Sequence, residues 1–337
     1  MSFDVSIIKG KTVYDLVHSH LTDCLEVVKQ AYLTHDGGRT VNPDSYFLRF
    51  PENPGARIIA LPAFLGPESG VAGIKWIASF PENITRGFPR ASAALILNDS
   101  TTGYPYAILE SSVISAARTA GSAVLAAEWI NSHSRHTHTL GIIGTGLIAR
   151  YVYRFLLGSG WTIDHVCLFD ATPDEAAQFQ ANVIQADAHQ TVTVADSAST
   201  LLRTSSMVVF TTTAGTPHIH DPGLLAHNPI VLHLSLRDLS PGILLASNNI
   251  ADDIEHVMKA NTSPHLVEQQ VGHREFVTGT LADLMLGRCT LDQTKPTIFS
   301  PFGLGVLDLA VGQWVYREAV AAGEDLRLTD FFFDMDR

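Results

Sequence analysis

Residues 140–150 read LGIIGTGLIAR, and this stretch decides the fold of the chain. An apolar run long enough for one buried parallel strand ends in the pattern Gly144-x-Gly146-x-x-Ala149, and an apolar stripe with helical spacing follows. Strand, tight turn and helix in this order are typical of the loop that holds a dinucleotide pyrophosphate. Gly144 permits the turn, Gly146 lets backbone N–H groups approach the phosphates, and Ala149 allows close helix packing. The predicted cofactor contacts of this turn are Gly144, Thr145, Gly146, Leu147 and Ile148.

A second apolar run, residues 165–169, is followed by Asp170, which lies 21 positions after Ala149. A carboxylate at this spacing accepts hydrogen bonds from both ribose hydroxyls of the adenosine and repels a 2′-phosphate. The sequence therefore predicts NAD rather than NADP as the cofactor. The alternative interpretation is a glycine-rich turn with an unrelated surface aspartate.

The composition indicates a soluble protein of two domains. The chain has 337 residues, 46% of them hydrophobic, which is enough for two cores. Its formal net charge of −12 argues against a nucleic-acid-binding surface. The N-terminus lacks a charged segment followed by an apolar one, and no apolar run reaches the roughly 18 residues that a membrane span needs. We expect a cytoplasmic protein without membrane contacts.

The chain changes character along its length. Short strand-like segments with turn punctuation fill residues 46–109, which suits an antiparallel or mixed sheet. Beyond a polar segment, residues 131–139, strands and helices alternate in the order of a parallel doubly wound sheet. The predicted fold class is α/β, with a Rossmann-type NAD-binding domain in residues 131–305. A second α+β domain, for substrate binding and dimerisation, comprises residues 1–130 and 306–337.

The cysteines and histidines do not indicate a metal site. The three cysteines are far apart in sequence, and no His-Glu-x-x-His pattern occurs. The alternative, a histidine metal site, rests on two groups of histidines. His133, His136 and His138 precede the central strand, and His218 and His220 lie in a later loop. We interpret both groups as solvated linker or loop histidines.

Three cations of the first domain lie in apolar segments, where the pattern predicts burial. Lys75 lies within GIKWIA, Arg118 within an alanine-rich helix, and Arg49 within YFLRF. No acidic residue lies within three positions of Lys75 or Arg118. Burying such charges is costly unless an anion meets them. We therefore predict that the three cations bind a substrate with several carboxylates; the alternatives are internal salt bridges, or a Lys75 that snorkels to solvent.

Two polar residues follow strands of the second domain. Thr212 follows the apolar strand at residues 207–210, and Asp238 follows the strand at residues 230–234. Ligands of such folds bind at the carboxyl edge of the sheet, where both side chains are expected, and Thr212 is predicted to contact the cofactor there. A carboxylate there can move the proton that leaves an amine nitrogen as hydride leaves carbon. The alternative for Asp238 is a helix N-cap or an ordinary loop residue.

Taken in order, these segments resemble the ornithine cyclodeaminase and mu-crystallin family over nearly the full length. Four further strings resemble the branch of N-(2-amino-2-carboxyethyl)-L-glutamate dehydrogenases, which make L-2,3-diaminopropionate for siderophores and peptide antibiotics. These strings are SFPEN at residues 79–83, PRAS at 89–92, LND at 97–99 and TGYP at 102–105.

The resemblance implies a reaction and assigns roles. NAD⁺ would take hydride from the glutamyl α-carbon, and water would convert the ketimine to 2-oxoglutarate and L-2,3-diaminopropionate. Lys75 would bind a carboxylate and polarise the imine, Arg49 and Arg118 would clamp carboxylates, and Asp238 would be the general acid/base. Thr119 and Gly303 would line the nicotinamide end. A homodimer that uses the first domain's sheet is also implied.

Two alternatives remain open. One is an ornithine or lysine cyclodeaminase, or a ketimine reductase. In the cyclodeaminase branch the catalytic aspartate is followed by a Gly-Pro-Gly-Lys-like segment, whereas Asp238 is followed by LSPGI at residues 239–243, which argues against the ornithine reaction. The other is a non-catalytic, NAD-binding protein like the mu-crystallins, against which the joint presence of Lys75, Arg118 and Asp238 argues.

Overall fold

The computed structural model describes residues 4–66 and 69–332 of the chain. The outermost residues of the predicted segments 1–130 and 306–337 lie outside these described ranges, as do residues 67–68. None of the helices within the ranges is both long enough and apolar enough to cross a membrane.

The structure contains two compact units. Unit 1 comprises Met1–Arg118 and Leu304–Arg337, and unit 2 comprises Thr119–Gly303. The division falls inside a helix rather than after it, at residue 130, where the sequence placed the domain boundary. The boundaries at residues 130 and 305 stay a prediction.

The elements alternate between strand and helix more regularly in the second half of the chain. The first ten are β1 (Val5–Ile8), α1 (Gly10–Ser19), α2 (Leu21–Asp36), β2 (Thr40–Val41), β3 (Tyr46–Phe50), β4 (Asn53–Leu65), β5 (Val71–Ser79), β6 (Ala91–Asp99), β7 (Pro105–Glu110) and α3 (Ser112–Ile130). The others are β8 (His136–Ile143), α4 (Leu147–Gly158), β9 (Thr162–Phe169), α5 (Pro173–Asn182), β10 (Thr191–Val194), α6 (Ala198–Thr204), β11 (Met207–Phe210), β12 (Ile230–His233), α7 (Pro241–Leu245), β13 (Asn248–Ala251), α8 (Ile254–Val257), α9 (Ser263–Val271), β14 (Gly279–Thr280), α10 (Leu281–Met285), β15 (Thr297–Ser300), α11 (Gly305–Ala322) and β16 (Leu326–Leu328).

Unit 1 is built on a mixed sheet with the strand order β16-β1-β7-β6-β5-β4-β2, and β3 pairs with β4. The β1–β7 pair is parallel and the other pairs are antiparallel, in line with the predicted antiparallel or mixed sheet. Helix α11 packs on β4, β5 and β6 and against α2. Nearly the whole first half of the helix is buried, so its apolar side chains cover one face of the sheet.

The two faces of this sheet differ in character. Directly paired residues of antiparallel strands share a face, so Lys75 lies on the face of its partners Leu61 and Leu95. That face carries α11, since Gly312 of α11 lies against the Leu95 side chain. The opposite face presents Trp76, which is exposed.

Unit 2 is built on a parallel sheet with the strand order β10-β9-β8-β11-β12-β15-β13-β14. Every residue of β11 is buried, as expected for a strand with helices on both faces. The chain winds outward from β8 in one direction and from β11 in the other, which places the topological switch point of a doubly wound fold between these two strands. The predicted Rossmann-type sheet is confirmed.

Two details of the sequence interpretation are wrong. Residues 131–139 were expected to be a polar linker, but β8 already begins at His136. Thr137 and Thr139 are buried while His136 and His138 are exposed, which is the alternation of a strand. The sequence pattern also predicts one helix from about Pro173 to Ala188, but α5 ends at Asn182 and a short turn of 3-10 helix follows.

Candidate active site

The turn after β8 has the geometry that a dinucleotide requires. Gly144 has a φ of 87°, and a side chain there would meet the backbone of Thr211 and Thr212 at 2.9 Å. Gly146 is the N-cap residue of α4, receives no side-chain cap, and would have open space around a Cβ atom. The N-terminus of α4 therefore offers backbone N–H groups and open space, as a pyrophosphate needs. The residues fit the predicted NAD.

Asp170 lies beside this turn at the end of β9. Its Oδ2 accepts hydrogen bonds from the backbone N and the hydroxyl of Thr145, at 2.8 and 2.9 Å, and its Oδ1 accepts one from Thr172 N at 3.0 Å. These bonds fix the carboxylate and leave further lone pairs for ribose hydroxyls. In the first turn of α4, Leu147 is exposed and Ile148 is half-buried. Their contacts with a cofactor stay a prediction.

Asp238 lies in the loop after β12, at the carboxyl edge of the sheet as expected. The chain reaches it through Leu236, whose φ of 77° is unusual for a residue other than glycine. The Asp238 side chain has no solvent exposure. Its carboxylate accepts hydrogen bonds from the hydroxyls of Thr212 and Ser235. Thr212, predicted at the cofactor, thus also holds Asp238.

Two histidines complete the surroundings of Asp238. His218 Nε2 lies 3.0 Å from Oδ1, and His233 Nε2 lies 3.2 Å from Oδ2. Burial acts to raise the pKa of Asp238, but the bonds and charge from His233 and the two hydroxyls outweigh it, so this pKa lies well below its usual range. A carboxylate held ionised in this way orients and stabilises a neighbouring imidazole.

The backbone brings His218 to Asp238. The N–H groups of His218 and Ile219 donate to the Asp238 carbonyl at 3.0 and 2.9 Å, and Ser240 N donates to Ile219 O at 3.0 Å. The loops after β11 and β12 are therefore paired. The His218 side chain is 43% exposed, in contrast to the fully buried Asp238. The sequence interpretation treated His218 as a solvated loop residue and did not recognise this contact.

Gly303 lies three residues beyond β15, where its φ of 97° requires glycine. Its N–H donates to Asp252 at 2.6 Å, and Phe302 N donates to the same carboxylate at 2.9 Å. Burial raises the pKa of Asp252. Thr119, the other residue predicted at the nicotinamide, is half-buried on α3. Both roles stay predictions.

In unit 1, Lys75 and Arg118 share one carboxylate. Lys75 Nζ lies 2.6 Å from Asp308 Oδ2, and Arg118 Nε lies 3.3 Å from Asp308 Oδ1. Lys75 also donates to the Ser115 hydroxyl at 3.2 Å. All three charged side chains are largely withdrawn from water, with 2%, 12% and 0% exposure for Lys75, Arg118 and Asp308. The cluster retains one positive charge in excess.

Asp308 explains how these cations tolerate burial. Burial lowers the pKa of Lys75 to about 8, while Asp308 opposes the shift. The carboxylate lies in the first turn of α11, where the helix dipole favours a negative charge. Burial of Lys75 is as the sequence indicated, and its binding of a substrate carboxylate stays a prediction. The internal salt bridge that was left as an alternative is present.

Arg49 does not follow the prediction of burial. Its side chain is exposed on β3, and its guanidinium carbon lies 5.4 Å from the centre of the Phe47 ring. β3 pairs only with β4, so the apolar pattern around Arg49 does not bury it. Carboxylate binding by Arg49 stays a prediction.

The first histidine group makes ordinary polar contacts. His136 and His138 both approach Asp164 Oδ2, at 3.1 and 3.0 Å. Among the described residues, no three histidine, cysteine or acidic side chains are placed to share a metal ion.

Comparison with known proteins identifies the family. The model of the ornithine cyclodeaminase/mu-crystallin family matches residues 11–323. The chain belongs to this family. It is 27% identical over 309 residues to the N-((2S)-2-amino-2-carboxyethyl)-L-glutamate dehydrogenase of Staphylococcus aureus, a match that covers 89% of this chain and 91% of that protein. The predicted family is confirmed.

Solved structures confirm the fold. The Thermococcus litoralis Δ1-pyrroline-2-carboxylate reductase, solved with NADH and L-proline, superposes with a TM-score of 0.86 at 21% identity, covering 96% of this chain and 99% of that chain. An archaeal alanine dehydrogenase dimer with bound NAD superposes with a TM-score of 0.85 at 23% identity, covering 98% and 100%. The predicted NAD agrees with the cofactors of these neighbours.

The shared carboxylate of unit 1 generates a prediction for stability. Asp308→Asn leaves two buried cations without their anion and should lower the free energy of unfolding by about 3 kcal/mol, the low end for breaking a buried ion pair, because Lys75 can respond by losing its proton. Glu318→Gln, at an exposed position of the same helix, should change it by less than about 0.5 kcal/mol. Urea unfolding measures the free energy of unfolding of both variants. Equal stability of the two variants would contradict a structural role for Asp308.

Proposed function

We propose that this chain is an NAD-dependent dehydrogenase that converts N-(2-amino-2-carboxyethyl)-L-glutamate, water and NAD⁺ to 2-oxoglutarate, L-2,3-diaminopropionate, NADH and a proton. The observation that carries the proposal is the buried cluster of Lys75, Arg118 and Asp308, whose excess positive charge suits a carboxylate. The S. aureus relative named for this substrate supports the choice of a tricarboxylic secondary amine. The product would serve a siderophore or peptide-antibiotic pathway.

Unit 1 supplies the carboxylate recognition in this proposal. Lys75 and Arg118 hold one carboxylate of the substrate, and the Lys75 ammonium polarises the imine nitrogen formed on oxidation. Asp308 keeps both cations oriented before substrate binds, so little side-chain freedom is lost on binding. Arg49 lies exposed on β3 and takes a further carboxylate.

Unit 2 supplies the cofactor contacts and the proton transfer. NAD, when bound to the Gly144 turn and Asp170, supplies the hydride acceptor for the glutamyl α-carbon. The amine proton passes to the pair formed by Asp238 and His218, and the same pair then activates the water that attacks the ketimine carbon. His218 is the exposed member and exchanges protons with solvent, while Asp238 orients and stabilises its ring.

A homodimer is part of the proposal. The sheet face opposite Lys75 exposes the apolar side chains of Tyr46, Leu48 and Trp76, and Tyr46 is 73% exposed. Covering such a patch with a second copy would remove it from water. We expect the mass in solution to be that of two chains, and Trp76→Glu to shift it toward one chain; a monomeric unmutated protein would contradict the dimer.

The reaction is tested by absorbance at 340 nm together with product identification by mass spectrometry. With NAD⁺ and N-(2-amino-2-carboxyethyl)-L-glutamate, NADH should appear in step with equimolar 2-oxoglutarate and L-2,3-diaminopropionate. L-ornithine, L-alanine and L-proline serve as parallel substrates. Proline and ammonia from ornithine, without net NADH, would indicate a cyclodeaminase. NADH from alanine or proline but not from the secondary amine would instead assign the chain to the chemistry of its solved neighbours.

The proton-transfer pair is tested by substitution. His218→Gln should lower kcat about a hundredfold, the low end of the contribution of general acid–base catalysis, and added imidazole should restore part of the rate. Asp238→Asn should lower kcat without such rescue, because it removes the group that orients the base. His220→Gln, an exposed histidine two residues along the same loop, is the control and should retain full activity. An unchanged kcat in His218→Gln would remove His218 from the mechanism.

A further inference from the structure

Arginines gather at one end of the mixed sheet of unit 1. Arg49 on β3 pairs directly with Arg57 on β4, and Arg57 pairs with Ser79 on β5. Ser79 in turn pairs with Ala91 on β6, so Arg90 lies one residue away from the same row. Paired positions of antiparallel strands bring side chains together, and this row concentrates positive charge.

Within the described part of the chain, Arg57 and Arg90 have no carboxylate as an ion-pair partner. Across residues 4–66 and 69–332, no carboxylate forms an ion pair with Arg57 or Arg90. Both side chains are half-buried. Burial, together with the charge of Arg57, lowers the pKa of Arg90. Two cations that repel each other in a partly dry setting are stabilised when an anion binds beside them.

A second, independent observation comes from Ser79 in the same row. Its side chain is 8% exposed, and its hydroxyl has no hydrogen-bond partner. A buried hydroxyl without a partner is uncommon and needs an explanation. A ligand oxygen beside Arg57 would accept a hydrogen bond from this hydroxyl. Arg57 and Ser79 thus offer a guanidinium group and a hydroxyl from one sheet face, and Arg90, close enough to Arg57 for their charges to interact, flanks them just before β6.

The row lies on the same sheet face as Lys75. Lys75 and Ser79 are four residues apart on β5, with both side chains on one side of the pleat. At roughly 3.3 Å per residue their Cα atoms are about 13 Å apart. Lys75 and Arg57 lie on this face and have side chains long enough to reach into the interval. A ligand that meets both positions therefore carries carboxylates several bonds apart.

We propose that Arg57, Arg90 and Ser79 form a second carboxylate site, which binds a carboxylate remote from the one held by Lys75 and Arg118. The inference rests on the proposed function and narrows its substrate class to amines that carry carboxylates at both ends. Alanine and proline, which have one carboxylate each, leave this site without a ligand. Arg suits the role because its guanidinium binds a carboxylate through two parallel hydrogen bonds.

The test compares two 2-oxo acids that differ by one carboxylate. Binding of 2-oxoglutarate and of 2-oxobutyrate to the NADH-loaded enzyme is measured by calorimetry, so no turnover is required. The unmutated enzyme should bind 2-oxoglutarate at least about tenfold more tightly than 2-oxobutyrate. Arg57→Gln and Arg90→Gln should each weaken 2-oxoglutarate about tenfold and leave 2-oxobutyrate unchanged. Arg86→Gln, an exposed arginine paired with Glu82, is the control and should alter neither.

Each outcome decides the inference. Equal affinity of the unmutated enzyme for the two acids would overturn it, as would arginine variants that weaken both ligands alike or neither. The proposed function is judged separately by NADH formation. NADH from the secondary amine with unaffected arginine variants would overturn the second carboxylate site alone. Arginine-dependent selectivity for 2-oxoglutarate without NADH formation would support the site and overturn the proposed reaction.

Discussion

The buried interaction of Asp308 with Lys75 and Arg118 is the constraint on which unit 1 depends. One carboxylate from α11 meets one cation from β5 and one from α3, so three elements distant in sequence are tied by charge. Removing either sign would leave an uncompensated charge in a setting nearly free of water. In the proposed function the same cluster also binds substrate, because two cations and one carboxylate leave one positive charge in excess.

In unit 2 the corresponding constraint is Asp238. Four side chains, three from the two paired loops and one from the end of β12, converge on its carboxylate, which stays ionised although it is buried. The strained backbone at Leu236 is tolerated because this network over-determines the loop. In the proposed mechanism the buried, ionised carboxylate orients the exposed imidazole, and the imidazole exchanges protons with water.

Features encoded in adjacent residues were predictable from sequence, and features that join distant residues were not. The turn at Gly144 and the position of Asp170 follow from a strand, a turn and a helix that are contiguous, and the structure has them as predicted. Asp308 lies 233 positions from Lys75, so no local pattern could pair the two. His218 contacts Asp238 only because two loops pair across the sheet edge. The apolar pattern around Arg49 gave a wrong prediction of burial, because among the described residues β3 pairs with a neighbouring strand on one side only.

The central claim is that hydride leaves the glutamyl α-carbon of a secondary amine with several carboxylates. Substrate deuterated at that carbon, oxidised in the presence of NAD⁺, tests the claim most directly, with mass spectrometry of the reduced cofactor as the readout. The account predicts one deuterium in each NADH molecule formed and none in the 2-oxoglutarate. Reduced cofactor without deuterium, or label that remains with the carbon skeleton, would contradict it.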